Sequence, residues 1–230
     1  MQELLQISIL PVVLTLLAYK AGAWIQQKTK SPLCNPILIA VVLVLTFLGV
    51  SGMELKTYQA GASFLSWLMT PATVCLAISM YEQFQVLRKN TPLILVSVAA
   101  GAIACLVMVA GLSLLLGFDR ELTVSLLPKS VTTAIGVPLS QMSGGLTPIT
   151  TAAIILTGIT ASVLGPGMCR LFRLNDEISR GVAFGTAGHV IGTAKATEMS
   201  PLTGAVSSLS LVVAGLLTAV MLPLLTNFIP

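Results

Sequence analysis

Long runs of apolar residues, separated by short polar loops, make up most of this chain. A helix rises 1.5 Å per residue, so a run of about 20 residues can cross roughly 30 Å of hydrocarbon. The runs long enough to span lie at 4–26, 33–52, 61–80, 92–117, 146–169 and 201–228. The start, Met1-Gln-Glu-Leu-Leu, lacks the basic region of a cleaved signal, so we expect the first run to be a retained span.

Two further segments, 120–145 and 175–200, are apolar enough to enter a membrane but are too interrupted to cross it as plain helices. Both are rich in Gly, Ser and Thr, and the first also contains Pro128 and Pro138. Non-helical backbone is tolerated at membrane depth only where protein or a wet cavity shields it. We therefore predict two re-entrant, broken-helix hairpins in an all-α polytopic membrane protein with about six full spans.

The second half of the chain resembles a duplication. A shift of 56 residues places Glu121 on Glu177, and Ile135-Gly136 on Ile191-Gly192. The order of acidic loop, broken segment and long span is also shared, which predicts repeats at 119–174 and 175–230.

The first half carries a weaker signal of the same kind. Pro11 and Pro71, like Pro32 and Pro92, are 60 residues apart. We therefore predict a four-helix scaffold over 1–118 that is a candidate duplicated helix pair, followed by a transport unit over 119–230.

The distribution of basic residues predicts the topology. Three loops hold seven positive charges, from Lys28, Lys30, Arg88, Lys89, Arg170, Arg173 and Arg180. The positive-inside rule places these loops in the cytoplasm. That placement requires 120–145 to turn back toward the outer side, so that the two repeats are inverted and both termini lie outside. Inverted repeats of this kind are typical of secondary transporters.

Composition narrows the function classes. The chain is 55% hydrophobic and 9% charged, whereas a soluble domain carries about 25% charged residues. The four cysteines are scattered through apolar segments, and His189 is the single histidine, so neither a metal centre nor another cofactor is expected. The sequence has no hydrolase, metalloprotease or nucleotide-binding motif and no basic run with interleaved aromatics, so we expect neither an enzyme nor a nucleic-acid-binding protein.

The polar residues of the broken segments are the candidate site. Hydroxyls and the free N–H groups of half-helix N-termini suit a small carboxylate, and an intramembrane lysine is costly and often functional. The predicted substrate-binding residues are Lys129, Ser130, Thr132, Thr133, Thr186, His189 and Thr193. Lys195 and Glu198 are a possible charge pair or coupling group. The alternatives are snorkelling for the lysines and hydrogen-bonded packing for His189.

Two of these stretches carry a family likeness. Pro128-Lys-Ser-Val-Thr-Thr-Ala-Ile-Gly136 and Gly185-Thr-Ala-Gly-His-Val-Ile-Gly-Thr-Ala194 resemble the two hallmark segments of the LrgB/CidB family. That family includes bacterial inner-membrane proteins and the plastidial glycolate/glycerate translocator. The resemblance implies either transport of small carboxylates or control of murein hydrolases with a separate, small holin-like LrgA/CidA partner.

The leading hypothesis is a secondary transporter of small carboxylates of the pyruvate, lactate, glycolate or glycerate class, working by alternating access in the bacterial inner membrane, with a dimer expected. The alternative is a membrane component that acts with a holin-like LrgA/CidA partner to modulate murein hydrolases and autolysis. A cation or proton exchanger is a weaker third hypothesis, because Glu198 is the one acidic candidate away from the loops.

Overall fold

The computed structural model of the protein describes residues 2–29 and 34–229, and this part of the chain contains no β-strand. Lys30 and Pro32, used in the topology and duplication arguments, lie outside the described residues. The α-helices are α1 (Gln2–Thr29), α2 (Pro36–Ser51), α3 (Leu55–Gly61), α4 (Ser63–Glu82), α5 (Phe84–Leu115), α6 (Arg120–Leu126), α7 (Thr133–Met142), α8 (Thr147–Leu171), α9 (Glu177–Met199) and α10 (Pro201–Thr226). A 3₁₀ turn, Leu127–Ser130, directly follows α6 and leads to α7.

The predicted spans correspond to α1, α2, α4, α5, α8 and α10. In the described residues, four helices are long and apolar enough to cross a membrane: the Ile9–Thr29 part of α1, together with α5, α8 and α10. α2 is apolar but has only 16 residues, because the Asn35 side chain caps its start and Gly52 ends it in the left-handed conformation. The protein is thus an all-α polytopic membrane protein.

The chain divides into two compact units, Met1–Cys75 and Leu76–Pro230. In the first unit α1 packs against α2 and α3, and the hydroxyls of Thr15 and Tyr58 are 2.5 Å apart. The second unit contains α5 and both broken segments. The predicted functional division into 1–118 and 119–230 stays a prediction, but α5 is grouped with the C-terminal elements.

The first broken segment folds back on itself, and we refer to α6, the 3₁₀ turn and α7 as hairpin 1. Val131 and Thr132 have extended backbone between the 3₁₀ turn and α7. At the open end, the Leu146 N–H donates to the Ser125 hydroxyl at 2.6 Å, although 21 residues separate them. Each arm has about half the length of a membrane span, so a hairpin that enters the membrane from one face would reach about its middle.

The second broken segment, α9, also reverses, and we refer to it as hairpin 2. Its backbone is non-helical at His189, where φ is 41° and ψ is −140°. A Cβ atom added at Gly192 would lie 2.8 Å from the Phe184 carbonyl oxygen, whereas eight residues of continuous helix span about 12 Å. The two arms therefore run side by side, and a side chain at position 192 would separate them.

The two hairpins open at opposite ends of α8. Hairpin 1 ends where α8 begins, at the Ser125–Leu146 contact. The base of hairpin 2 lies at the other end, where Arg180 Nε donates to the Leu174 carbonyl oxygen at 2.7 Å. Because α8 is about 37 Å long, the open ends of the two hairpins are about a membrane thickness apart, as entry from opposite faces requires.

One pair of contacts recurs at the 56-residue shift. Gly136 approaches Pro128 in hairpin 1, with 3.2 Å between an added Cβ and the Pro128 carbonyl oxygen. Gly192 approaches Phe184 in the same way in hairpin 2. Gly136 and Gly192 are 56 residues apart, and so are Pro128 and Phe184. Equivalent glycines therefore close both hairpins.

α5 and α10 form the packed centre of the second unit. Ile94 and Val98 of α5 pack with Val206 of α10, and a second cluster joins α5 and α10 to hairpin 1. Arg120, at the start of hairpin 1, donates to the carbonyl oxygens of Thr226 and Ile229. The open end of hairpin 1 and the C-terminal end of α10 therefore lie on the same side of the membrane.

Cysteine labelling tests the hairpins. In a variant without the four native cysteines, we expect single cysteines at Glu121 and Met142 to react with an impermeant thiol reagent from one side of the membrane. Cysteines at Asn175 and Glu198 should react from the opposite side. All four positions are exposed. Labelling of positions 121 and 142 from opposite sides would mean that hairpin 1 crosses the membrane.

Substitution of Gly192 tests the closure of hairpin 2. The Gly192→Ala methyl group would meet backbone, so we expect a loss of about 1–3 kcal/mol in unfolding free energy. Thermal unfolding in detergent measures this loss. Gly167→Ala is the matched control, because nothing lies within 4 Å of an added Cβ there. Equal melting temperatures for the two variants would argue against close contact between the arms.

Candidate functional site

A cavity of about 580 Å³ lies in the second unit, where the tip of hairpin 1 faces the first arm of hairpin 2. α5 and α8 supply the remaining walls. Its polar lining comes from Ser97, Lys129, Ser130, Thr157, Thr160 and Thr186, and the other lining residues are Gly101, Cys105, Leu156, Ala161, Val182, Ala183 and Ala187. The fold thus brings together three of the predicted site residues, Lys129, Ser130 and Thr186.

Lys129 supplies the positive charge of the cavity. It is half-buried in the 3₁₀ turn at the tip of hairpin 1, and its ammonium lies 3.4 Å from the Ser130 hydroxyl. Among the side chains that the structure describes, the one ion pair joins Lys195 to Glu198, so no carboxylate neutralises Lys129 there. A cavity-lining ammonium without a counter-ion favours an anion in the cavity.

Thr186, on the first arm of hairpin 2, also lines the cavity and has an unsatisfied hydroxyl. Thr186 is 8% exposed, and its Oγ1 is the one buried side-chain oxygen or nitrogen without a hydrogen-bond partner in the described residues. A buried hydroxyl left without a partner costs about 1–3 kcal/mol. Close approach of α5 holds the side chain, since a Cβ at Gly101 would lie 3.1 Å from Thr186 Cγ2. The oxygen itself has almost no accessible surface, so rotation about χ1 would be needed to present this donor to a ligand oxygen in the cavity that Thr186 lines.

Ser130 connects hairpin 1 to α5. Its hydroxyl lies 3.2 Å from the Cys105 sulfur, and both residues line the cavity. The hydroxyl can rotate between this sulfur and a ligand, because a hydroxyl both donates and accepts. Ser130 therefore stands between the ammonium of Lys129 and the wall of α5.

His189 is at the tip of hairpin 2 but does not line the cavity. Its Nε2–H donates to the Ile154 carbonyl oxygen at 2.8 Å, and the ring fills the space beside Gly158, where an added Cβ would lie 2.5 Å from its Cε1. Thr193 Oγ1 donates to the His189 carbonyl oxygen and lies 2.8 Å from the Ser207 hydroxyl. These contacts support the chain reversal, and a role of either residue in substrate binding stays a prediction.

The remaining predicted residues lie outside the cavity lining. Thr132 is the N-cap of α7, without a side-chain cap bond, and Thr133 is exposed. Lys195 Nζ donates to Glu198 Oε2 at 2.7 Å, which is the structural pairing that their spacing allows.

Sequence reasoning missed the walls contributed by the full spans. Ser97 and Cys105 on α5, with Thr157 and Thr160 on α8, have no spacing that marks a site. A membrane helix satisfies such residues locally, as Thr160 shows by donating to the Leu156 carbonyl oxygen at 2.7 Å. In the described part of the chain, no group of three or more His, Cys, Asp or Glu side chains could hold a metal ion.

Comparisons with known proteins agree with the resemblance of the two broken segments. A profile of the LrgB-like family matches residues 15–228. The chain is 35% identical over 225 residues to the holin-like protein CidB of Staphylococcus epidermidis, covering 98% of each chain. It is 34% identical to the uncharacterized protein YwbG of Bacillus subtilis over 222 residues, covering 96% of this chain and 99% of that one.

A third relative carries a related name. The chain is 34% identical to the antiholin-like protein LrgB of Bacillus mycoides over 219 residues, which is 95% of each chain. No solved structure matches this chain. The family profile and these relatives cover nearly the whole sequence, and the protein belongs to the LrgB family of membrane proteins.

Proposed function

We propose that this LrgB-family protein is a secondary transporter that carries small carboxylates of the pyruvate, lactate, glycolate or glycerate class. The observation that carries the proposal is a cavity lined both by the Lys129 ammonium, which has no carboxylate partner among the described residues, and by Thr186, whose hydroxyl has no hydrogen-bond partner. A carboxylate has two acceptor oxygens, so it can take a charge-assisted hydrogen bond from Lys129 and another from Thr186. Ser130 adds a third donor on the Lys129 side.

The hairpins support transport by alternating access. They enter from opposite ends of α8 and share an equivalent closing contact at a 56-residue shift, as expected for an inverted repeat. In the proposed mechanism 119–230 forms the mobile unit, with both hairpins moving relative to the scaffold. The protein would work as a dimer in the bacterial inner membrane, with both termini outside and the Arg170 loop in the cytoplasm.

A second candidate function comes from the relatives. Two of them are named holin-like and antiholin-like, which points more directly to a membrane component that acts with a holin-like LrgA/CidA partner on murein hydrolases and autolysis. The cavity favours the first candidate and the names favour the second. The two candidates make different predictions about the charge in the cavity. A transporter of anions needs that charge, whereas a protein that acts only through a partner should tolerate its removal.

Removal of the Lys129 charge tests the transport proposal. We expect Lys129→Gln to lower the kcat/KM for uptake of labelled pyruvate, lactate or glycolate into proteoliposomes by about 10- to 100-fold, because one charge-assisted hydrogen bond is lost. Lys195→Gln is the matched control, since it removes a lysine charge from a partly exposed ion pair outside the cavity.

The same experiment separates the two candidates. Saturable uptake that depends on Lys129 and not on Lys195 supports the transporter. No substrate-dependent uptake of any of the three acids, together with stable co-purification of a small holin-like protein that survives Lys129→Gln, would favour the second candidate.

Two valine substitutions test the role of the Thr186 hydroxyl. Thr186→Val removes an unpaired hydroxyl, so we expect unchanged or slightly higher thermal stability with reduced uptake. Thr193→Val removes the bonds to His189 and Ser207, and should cost about 1–3 kcal/mol of unfolding free energy. The measurements are melting temperature and uptake for each variant. Full uptake by a stable Thr186→Val protein would mean that this hydroxyl does not bind the substrate.

A further inference from the structure

Thr157 of α8 lines the cavity, and its hydroxyl has no hydrogen-bond partner among the described residues. In an apolar helix a threonine hydroxyl often donates to the backbone carbonyl oxygen four residues earlier. Thr91 and Thr160 do so, at 2.8 and 2.7 Å. Because Thr157 makes no such bond, its hydroxyl keeps both its donor and its acceptor capacity for a ligand.

The Thr157 hydroxyl is also accessible. In the described residues, Thr186 Oγ1 is the one partnerless side-chain oxygen or nitrogen that is shielded from solvent. The partnerless oxygen of Thr157 is therefore not shielded, and Thr157 lines the cavity. A ligand in the cavity can contact this hydroxyl as the structure stands.

The position of Thr157 relates it to Lys129. Helix α8 packs against the 3₁₀ turn that carries Lys129, and both residues line the same cavity. Both also belong to the proposed mobile unit, 119–230. Ser97 of α5 is a second cavity-lining hydroxyl without a partner among the described residues, but it lies in the proposed scaffold. Of the two hydroxyls, that of Thr157 would therefore stay with Lys129 while a substrate is carried.

The chemistry of the lining gives Thr157 a task that Lys129 cannot perform. An ammonium has three donors and no acceptor, so it binds a carboxylate but accepts nothing from a hydroxyl of the same substrate. Among the described residues that line the cavity, none has a carboxylate or amide side chain. A threonine hydroxyl can accept from a 2-hydroxyl group and can donate to a 2-oxo oxygen.

We infer that Thr157 is a specificity-determining residue, whose hydroxyl binds the oxygen on carbon 2 of the substrate while Lys129 binds the carboxylate. The inference rests on the proposed function and defines what its substrates share: they are 2-hydroxy or 2-oxo monocarboxylates. An unsubstituted acid would take the place of water at Thr157 without replacing its hydrogen bond. A site that hydrogen-bonds a substrate group discriminates against the analogue that lacks it.

The experiment compares labelled lactate with labelled propionate, which differ only in the 2-hydroxyl group. The kcat/KM for uptake of each acid is measured with the full chain in proteoliposomes. We expect lactate to be favoured by about tenfold, the effect of one hydrogen bond. Thr157→Val keeps the shape of the side chain and should abolish this preference, by lowering kcat/KM for lactate while that for propionate stays unchanged.

Three further variants complete the design. Thr157→Ser keeps a hydroxyl and should keep the preference for lactate. Thr151→Val is the matched control, because Thr151 lies on the same helix outside the cavity lining, and it should leave the preference unchanged. Lys129→Gln should lower uptake of both acids alike, because both present the same carboxylate. A general defect in folding would also lower both acids alike, so the ratio of the two is the informative quantity.

The outcomes separate this inference from the proposed function. If lactate and propionate enter equally well in a Lys129-dependent way, only this inference fails. If lactate is preferred but Thr157→Val keeps the preference, the inference is overturned, and loss of the preference in Ser97→Ala would assign the recognition to α5 instead. If neither acid is taken up, and pyruvate and glycolate are not taken up either, the proposed function and the inference fail together.

Discussion

Reversing a polypeptide in the middle of a bilayer exposes backbone N–H and C=O groups where no solvent can satisfy them, and this constraint organises the second unit of the protein. At the tip of hairpin 2, specific side chains satisfy the exposed backbone groups. Thr193 satisfies the His189 carbonyl oxygen, and His189 in turn donates to the Ile154 carbonyl oxygen of α8. The imidazole fits only because Gly158 leaves room for it. His189 thus ties the reversal of hairpin 2 to α8.

Ile154 of α8 contacts both hairpins. It is 1% exposed, seven residues after the start of α8, its carbonyl oxygen accepts from His189 of hairpin 2, and its Cδ1 packs at Gly136 of hairpin 1. Because both hairpins contact the same turn of one spanning helix, α8 connects the two hairpins. In the proposed mechanism they therefore move together with α8.

The cavity follows from the same geometry. Hairpin 1 reaches mid-depth with Lys129 beside its tip, and hairpin 2 presents Thr186 on its first arm. The polar groups used for folding are paired, as with Lys195 and Glu198 or Thr193 and Ser207. In the cavity, Lys129 has no carboxylate partner and Thr186 has no hydrogen-bond partner among the described residues, which is why they define the proposed anion site.

The sequence by itself determined the membrane class, the spans and the two broken segments, because hydrocarbon thickness and the cost of buried polar backbone act on any chain. It also indicated the repeat, since Gly136 and Gly192 mark the same close approach in both hairpins. Only the tertiary structure separated Thr186, which faces the cavity, from His189 and Thr193, which are used in packing. A hydroxyl or an imidazole looks the same in sequence whether or not a partner satisfies it. For the same reason the contributions of α5 and α8 to the cavity could not be predicted, because they depend on which faces of long, uniformly apolar helices meet.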